Sequence, residues 1–149
     1  MKEVFPYLEE VQPEKGDGWL VVPADKLTLV CTHLKEKSGF DCLSCITGTD
    51  KGDHVELAYH LFSYETKNSV VLKAKAVAEV DTISHLYPSA DWMERETFDM
   101  LGINFKGHED LRRILLPDDW AGYPLRKDYK EGEEYGGMTT RRSYISYIS

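Results

Sequence analysis

Two alternating runs lie back to back near the middle of the chain, and together they dictate a sheet. In residues 54–64, Val55, Leu57, Tyr59 and Leu61 share one face, while Glu56, Ala58, His60 and Phe62 share the other. Residues 69–77 repeat the pattern, with Val70, Leu72, Ala74 and Ala76 against Val71, Lys73, Lys75 and Val77. A period of two over such lengths is the mark of a strand buried on one side. Lys67-Asn68 reads as the turn between them, and Lys51-Gly52-Asp53 as a turn leading in. Residues 40–47 upstream are rich in strand formers, with Gly48 and Asp50 closing the run. A meander of at least three strands follows. Its lysines mark a solvent face or an edge, and Ala58 and Phe62 suggest that the second face is partly covered.

Such a sheet needs a cover, and two helical patterns flank it. Residues 24–39 put Leu27, Val30, Cys31 and Leu34 on one face. Asp25 suits the N-cap, Lys35 and Lys37 suit the last turn, and Gly39 suits the residue just past the end. The second helix follows a helical turn at 82–87 that Pro88 ends. Ser89 reads as its N-cap and Gly102 as its stop. Residues 19–22 read as a short strand ended by Pro23. The apolar cluster Val4, Phe5, Tyr7 and Leu8 suggests a short N-terminal helix. Residues 103–116 read as an extended piece, a turn at Gly107 and an apolar run. Beyond Pro117 prolines and glycines dominate, and 131–149 is polar with a tyrosine-isoleucine repeat at 143–149. This end reads as an extended arm whose order depends on a partner.

The chain has 149 residues, 30% of them charged, and a formal net charge of −8. Phosphate binding needs a basic field, so a nucleic-acid partner is not expected. No run approaches the roughly 20 apolar residues of a membrane span. Residues 1–10 carry Glu3, Glu9 and Glu10 and no signal-peptide pattern. A cytosolic chain that meets a membrane only through partners is the expectation. Cys31, Cys42 and Cys45 make an odd count, which suits a reducing compartment better than a disulfide framework.

The densest chemistry lies in residues 91–129. At 100° per residue, Ala90, Met93, Thr97, Phe98, Met100 and Leu101 form the apolar sector of the second helix. Asp91, Trp92, Arg95, Glu96 and Asp99 fall opposite. Glu94 falls inside the apolar sector, where a carboxylate needs a partner or a proton. Arg112, Arg113, Arg126 and Lys127 are the expected partners, and general acid–base work is the alternative. Trp92 on a polar side points either to a protein contact or to packing against the chain's own C-terminal arm. The stretch 124–129, Pro-Leu-Arg-Lys-Asp-Tyr, follows Trp120 and Tyr123. Pro124 fixes the backbone, Leu125 can insert, and Arg126 and Lys127 can pair with carboxylates, which suits an arm laid across a neighbour.

The histidines His60, His85 and His108 fit no standard metal spacing. Cys42 and Cys45 form a C-x-x-C without a second copy. In a regular strand they point to opposite faces, so they read as core cysteines. No dinucleotide or phosphate loop is present. A small hydrolase or isomerase built on Glu94, Glu96, Asp99 and His108 is one alternative, and a metal or redox protein built on the cysteines another.

The pattern W-x-E-R-E-x-x-D-M-x-G-I-x-F-x-x-H-x-D-L-R-R-I-L, then P-L-R-K-D-Y, resembles the C subunit of proton-translocating NADH:quinone oxidoreductase, respiratory complex I. The resemblance is detailed over residues 91–129 and looser upstream, through 46–50 and the two long strands. It implies an α+β fold: a mixed β-sheet with helices packed on one face, plus an extended C-terminal arm. Residues 1–117 would form one domain and 118–149 the docking arm and tail. It implies a non-catalytic structural subunit of the peripheral arm, on the cytoplasmic side of the membrane. Its partners would be the large hydrogenase-like quinone-site subunit and iron–sulfur subunits. The chain itself would hold no cofactor, with flavin and iron–sulfur clusters in the partner subunits. The motif positions Glu94, Arg95, Glu96, Asp99, Gly102, His108, Leu111, Arg112, Arg113, Pro124, Arg126, Lys127, Asp128 and Tyr129 would serve structure and docking. Two departures stand out: Glu109 replaces the proline usual after the histidine, and residues 136–149 match nothing familiar. The same family serves membrane-bound hydrogenases and ferredoxin-dependent relatives, which the sequence does not separate.

Overall fold

A computed structural model of the chain describes residues 4–14, 18–132 and 134–139. The elements run β1 (Glu9–Val11), β2 (Trp19–Val22), α1 (Leu27–Ser38), β3 (Cys42–Asp50), β4 (Val55–Phe62), β5 (Ser69–Ala76), β6 (Glu79–Asp81), α2 (Ala90–Leu101), β7 (Asn104–Lys106), β8 (Glu134–Tyr135) and β9 (Met138–Thr139). The first five strands form one sheet in the order β1-β2-β5-β4-β3. β3, β4 and β5 are the antiparallel meander, and β2 joins it parallel to β5. The sheet is therefore mixed, and the fold is α+β. β6 and β7 pair in parallel beside it.

The alternation sets which face is covered. Val55, Leu57, Tyr59 and Leu61 of β4 are buried, as are Leu72, Ala74 and Ala76 of β5. Both helices supply the other half of this core, α1 through Leu27, Val30, Cys31 and Leu34. These are the four residues that share a helical face in the sequence. Gly39 adopts φ +70°, and the Phe40 amide returns to the Leu34 carbonyl at 3.0 Å, which satisfies an end carbonyl of the helix. Lysines 73 and 75 lie on a central strand, so they mark the solvent face and not an edge.

Three local expectations are corrected. Residues 4–11 hold no helix: Phe5 and Leu8 enter the core and β1 pairs with β2. Glu9 and Glu10 stay exposed on that edge. Asp25 caps nothing, because a single 3-10 turn, Ala24–Lys26, precedes α1 and moves its start to Leu27. Ser89 occupies the N-cap position of α2, but its hydroxyl donates to the Leu43 carbonyl at 3.2 Å and ties the helix to the sheet.

α2 lies close against β3 because Gly48 leaves room. A Cβ at that position would stand 2.3 Å from Leu101 Cδ1. The helix ends at Gly102, whose φ of +71° favours glycine and whose α-carbon faces the Tyr123 ring.

Candidate functional site

The segments flanking α2, residues 82–89 and 102–129, pack around it and bury Arg95 and Asp99 of its nominally polar side. Glu94 is fully buried. Its carboxylate accepts the Thr82 hydroxyl and, at 2.9 Å, the Ile83 amide. His108 Nε2 stands 3.9 Å away, from a ring that is itself sealed from solvent. Among the described residues no arginine or lysine pairs with it. The expected partners are corrected, because Arg112 is taken by Asp110 at 2.9 Å and Arg113 by Asp99 at 2.7 Å. Burial pushes the Glu94 carboxyl above its usual range, against the opposing pull of Thr82, Ile83 and His108. The His108 tautomer follows from its bonds: Nδ1 accepts the Asp110 amide at 3.1 Å, so Nε2 carries the hydrogen and donates to the Asp91 carbonyl at 3.2 Å.

Asp99 is the second buried carboxylate. Helical angle places it with the polar residues, yet it has no exposure. One oxygen accepts three consecutive amides, Ile114 at 3.1 Å, Leu115 at 2.8 Å and Leu116 at 2.9 Å. The other meets Arg113 Nη1 at 2.7 Å. Burial opposes its ionisation, but the Leu116, Leu115 and Ile114 amides with Arg113 outweigh burial and hold the carboxyl below its usual range. Arg113 then reaches the carbonyls of Trp120 (3.1 Å) and Gly122 (3.0 Å) and lies over the Tyr123 ring. One carboxylate and one guanidinium thus fix the path of the chain from 113 to 123.

The following segment is fastened in the same manner. The Leu125 amide donates to the Met100 carbonyl at 3.0 Å. The Asp50 carboxylate, at the end of β3, accepts the Lys127 amide at 2.8 Å and has Arg126 at 3.6 Å. The Lys127 and Gly52 amides hold the Asp50 carboxyl below its usual range. Trp120 Nε1 donates to the Tyr129 hydroxyl at 3.1 Å, and Tyr135 packs against Trp120.

The remaining candidates divide into fastened and presented groups. Arg95 is buried, donates to the Arg112 carbonyl at 3.3 Å and lies against the Trp92 ring. Leu111 packs on the core margin, and Pro124 is half-buried. Trp92 is 65% exposed, and Leu115 and Leu125 are each 59% exposed. Trp92 is therefore stacked by Arg95 of its own helix, and among the described residues the C-terminal segment does not cover it. Glu96, Arg112, Lys127 and Asp128 face solvent.

The cysteines need a correction. Register skips between Leu43 and Cys45, so Ser44 is an extra residue. Cys42 then opposes Phe62 and Cys45 opposes His60, which puts both on the outer face. They are half-buried and exposed, not core. Cys31 is the core cysteine, and burial, with Glu94 adding, pushes its thiol up to about 12. Among the described residues, no three His, Cys, Asp or Glu side chains are grouped to hold a metal ion, and no helix is long and apolar enough to cross a membrane. The Glu94 and His108 side chains are both closed off from solvent. The buried acids and arginines here organise backbone, and three large apolar or aromatic side chains, Trp92, Leu115 and Leu125, reach the surface beside charged ones.

Sequence reasoning misses three parts of this arrangement. Thr82 and the Ile83 amide carry no signal beyond the turn before Pro88. Asp50 reads locally as a turn residue, and its Gly52 contact at 2.9 Å is one, but its clamp on residue 127 is 77 positions away. Gly48 gives no hint that a helix leans on it.

Residues 20–135 match the family model described as "Respiratory-chain NADH dehydrogenase, 30 Kd subunit". The chain belongs to this family. The NADH-quinone oxidoreductase C subunit of Moorella thermoacetica is 41% identical over 141 residues, covering 91% of this chain and 95% of that one. Its counterpart in Geobacter sulfurreducens is 38% identical over 137 residues, covering 87% and 85%. Among solved structures, a chain of the membrane-bound sulfane sulfur reductase, an archaeal respiratory membrane complex, superposes with a TM-score of 0.75 at 30% identity, covering 87% of this chain and 81% of that one. The protein is thus a 30 kDa-family subunit of complex I type, whose partners are other subunits of a respiratory membrane complex. The site is segment 91–129, which lies within the matched residues and folds around Glu94 and Asp99.

Proposed function

We propose that this subunit acts without an active site of its own, as a docking element of the peripheral arm. In this reading it lies on the cytoplasmic side and reaches the membrane only through partners. It seats the large quinone-site subunit and neighbouring iron–sulfur subunits, which hold the clusters, with flavin elsewhere in the complex. Electron transfer from NADH or another donor to quinone, coupled to proton translocation, is then the work of those partners. The observation that carries this reading is the Asp99–Arg113 anchorage. It fixes an irregular segment through its backbone and leaves Leu115, Leu125 and Trp92 outward. Buried charge spent on shaping a loop, with large apolar side chains left exposed, suits a surface that a partner completes. Arg126, Lys127 and Asp128 lie on that surface, and Tyr129 supports it through Trp120.

The test is recovery of tagged full-length chain in mild detergent. The quinone-site and iron–sulfur subunits should come with it. A monomer without partners, under conditions that preserve membrane complexes, would overturn the reading. The likeness to a chain of the archaeal sulfane sulfur reductase shows this fold in another respiratory membrane complex, and a second reading is the equivalent subunit of a membrane-bound hydrogenase or ferredoxin-dependent relative. Recovery of an NADH-binding flavoprotein in the same complex decides for the first.

A further inference from the structure

The two edges of the five-stranded sheet are treated differently by the sequence. β1 is three residues long and carries Glu9 and Glu10. β3 is nine residues long, and from Cys42 to Thr49 it has no charged residue and no proline. Short length, charge and proline are the usual means of keeping an edge from pairing. β3 lacks all three, and its one irregularity is the bulge at Ser44.

Hydrogen-bond parity shows which groups of β3 face outward. The Lys51 amide donates to the His54 carbonyl at 2.8 Å, so bonded pairs alternate from there. Thr49–Glu56, Thr47–Ala58 and Cys45–His60 are then bonded pairs, and Gly48–Leu57 and Ile46–Tyr59 are not. The far side of β4 agrees. The Ser63 amide donates to the Asn68 carbonyl at 2.9 Å, which assigns Leu61, Tyr59 and Leu57 to β5 and leaves His60, Ala58 and Glu56 for β3. The amides and carbonyls of Ile46 and Gly48 therefore point away from the sheet. Among the described residues nothing bonds to them.

We infer that the Ile46–Gly48 edge of β3 accepts an extended strand from a neighbouring subunit, which continues the sheet by main-chain pairing. This rests on the docking role proposed above. The partner source follows from two observations. Asp50, at the end of this edge, holds Lys127 of the docking segment, so edge and segment form one continuous surface. A second copy is disfavoured because each chain carries −8 and repels its like. The incoming strand is accordingly uncharged or basic, with side chains that tolerate a half-buried sheet margin.

Amide hydrogen exchange at residue resolution, on the full chain alone and in the assembled complex, tests this. Cys45, Thr47 and Thr49 should be protected in both, being bonded to β4. Ile46 and Gly48 should exchange near the unstructured rate alone and slow by about 100-fold or more in the complex. Unchanged rates at Ile46 and Gly48 in a complex that contains the chain would overturn the inference and leave the docking role standing. Protection that grows with concentration of the chain alone would overturn it in favour of a second copy. A chain that enters no complex overturns the docking role and the strand pairing together.

Discussion

Glu94 and Asp99 sit five positions apart on α2, both without exposure, and their carboxyls shift in opposite directions. The difference lies in their donors. Glu94 has one hydroxyl and one amide against its burial, whereas Asp99 has three amides and a guanidinium. Asp99 therefore contributes stability that is present above its ordinary 3.8 and is lost as pH falls through its folded value. Replacing Asp99 with Ala strands those donors and leaves Arg113 unpaired. We expect a loss of about 3–5 kcal/mol in urea unfolding near neutral pH, and a loss under about 1 kcal/mol would contradict the anchoring role. Glu94 has the opposite sign. A carboxyl raised above 4.5 favours the folded state fully below 4.5 and loses that advantage as pH rises through its folded value. Glu94→Gln keeps an acceptor for Ile83, reverses the Thr82 contact so that the new amide donates to the hydroxyl oxygen, and cannot ionise. The gap in stability between wild type and Glu94→Gln should change in the variant's favour as pH is raised from 4.5, read as denaturation midpoints across that range. Parallel midpoints would show that Glu94 is not a costly buried charge.

At the scale of elements, the strands and α1 are legible because their partners are implied by their own pattern. A period of two names a covered face, and α1 offers one stripe that fits it. α2 is half legible. Its angular plot finds Glu94 among apolar neighbours, but it sets Arg95 and Asp99 in solvent, because helical angle says nothing of the later segment that folds over that side. The C-x-x-C misleads for a related reason. Facing alternates only without a bulge, and the extra Ser44 reverses the parity of everything beyond it. The contact between α2 and β3 is equally silent in sequence, since Gly48 matters for what it lacks. Gly48→Ala should destabilise by about 1–3 kcal/mol, as overpacked sites do. Trimming Leu101 to Ala in the same chain should return part of that loss, with a favourable coupling in a double-mutant cycle. Strict additivity of the two substitutions would contradict the close approach of helix and strand.

At the scale of the whole molecule, the sheet and its two helices supply most of the core. The chain after Phe105 adds little to that core. It is fixed by Asp99, Asp50 and Met100 into a defined surface carrying exposed leucines, and residues 140–149, with the tyrosine-isoleucine repeat, lie outside the described residues. Family membership is legible because the motif in 91–129 is long, but the task of each residue in it is not. Partners 77 positions apart, as for Asp50 and Lys127, leave no local trace. The claim that this surface serves assembly is tested most directly by truncating the chain after Pro117. Both the truncated and full-length chains are tagged, and each is measured for its share in the membrane complex and for its own cooperative unfolding. The shortened chain should still unfold cooperatively, at lower denaturant, and be absent from the complex. Its incorporation at the full-length level would contradict the docking role of residues 118–129.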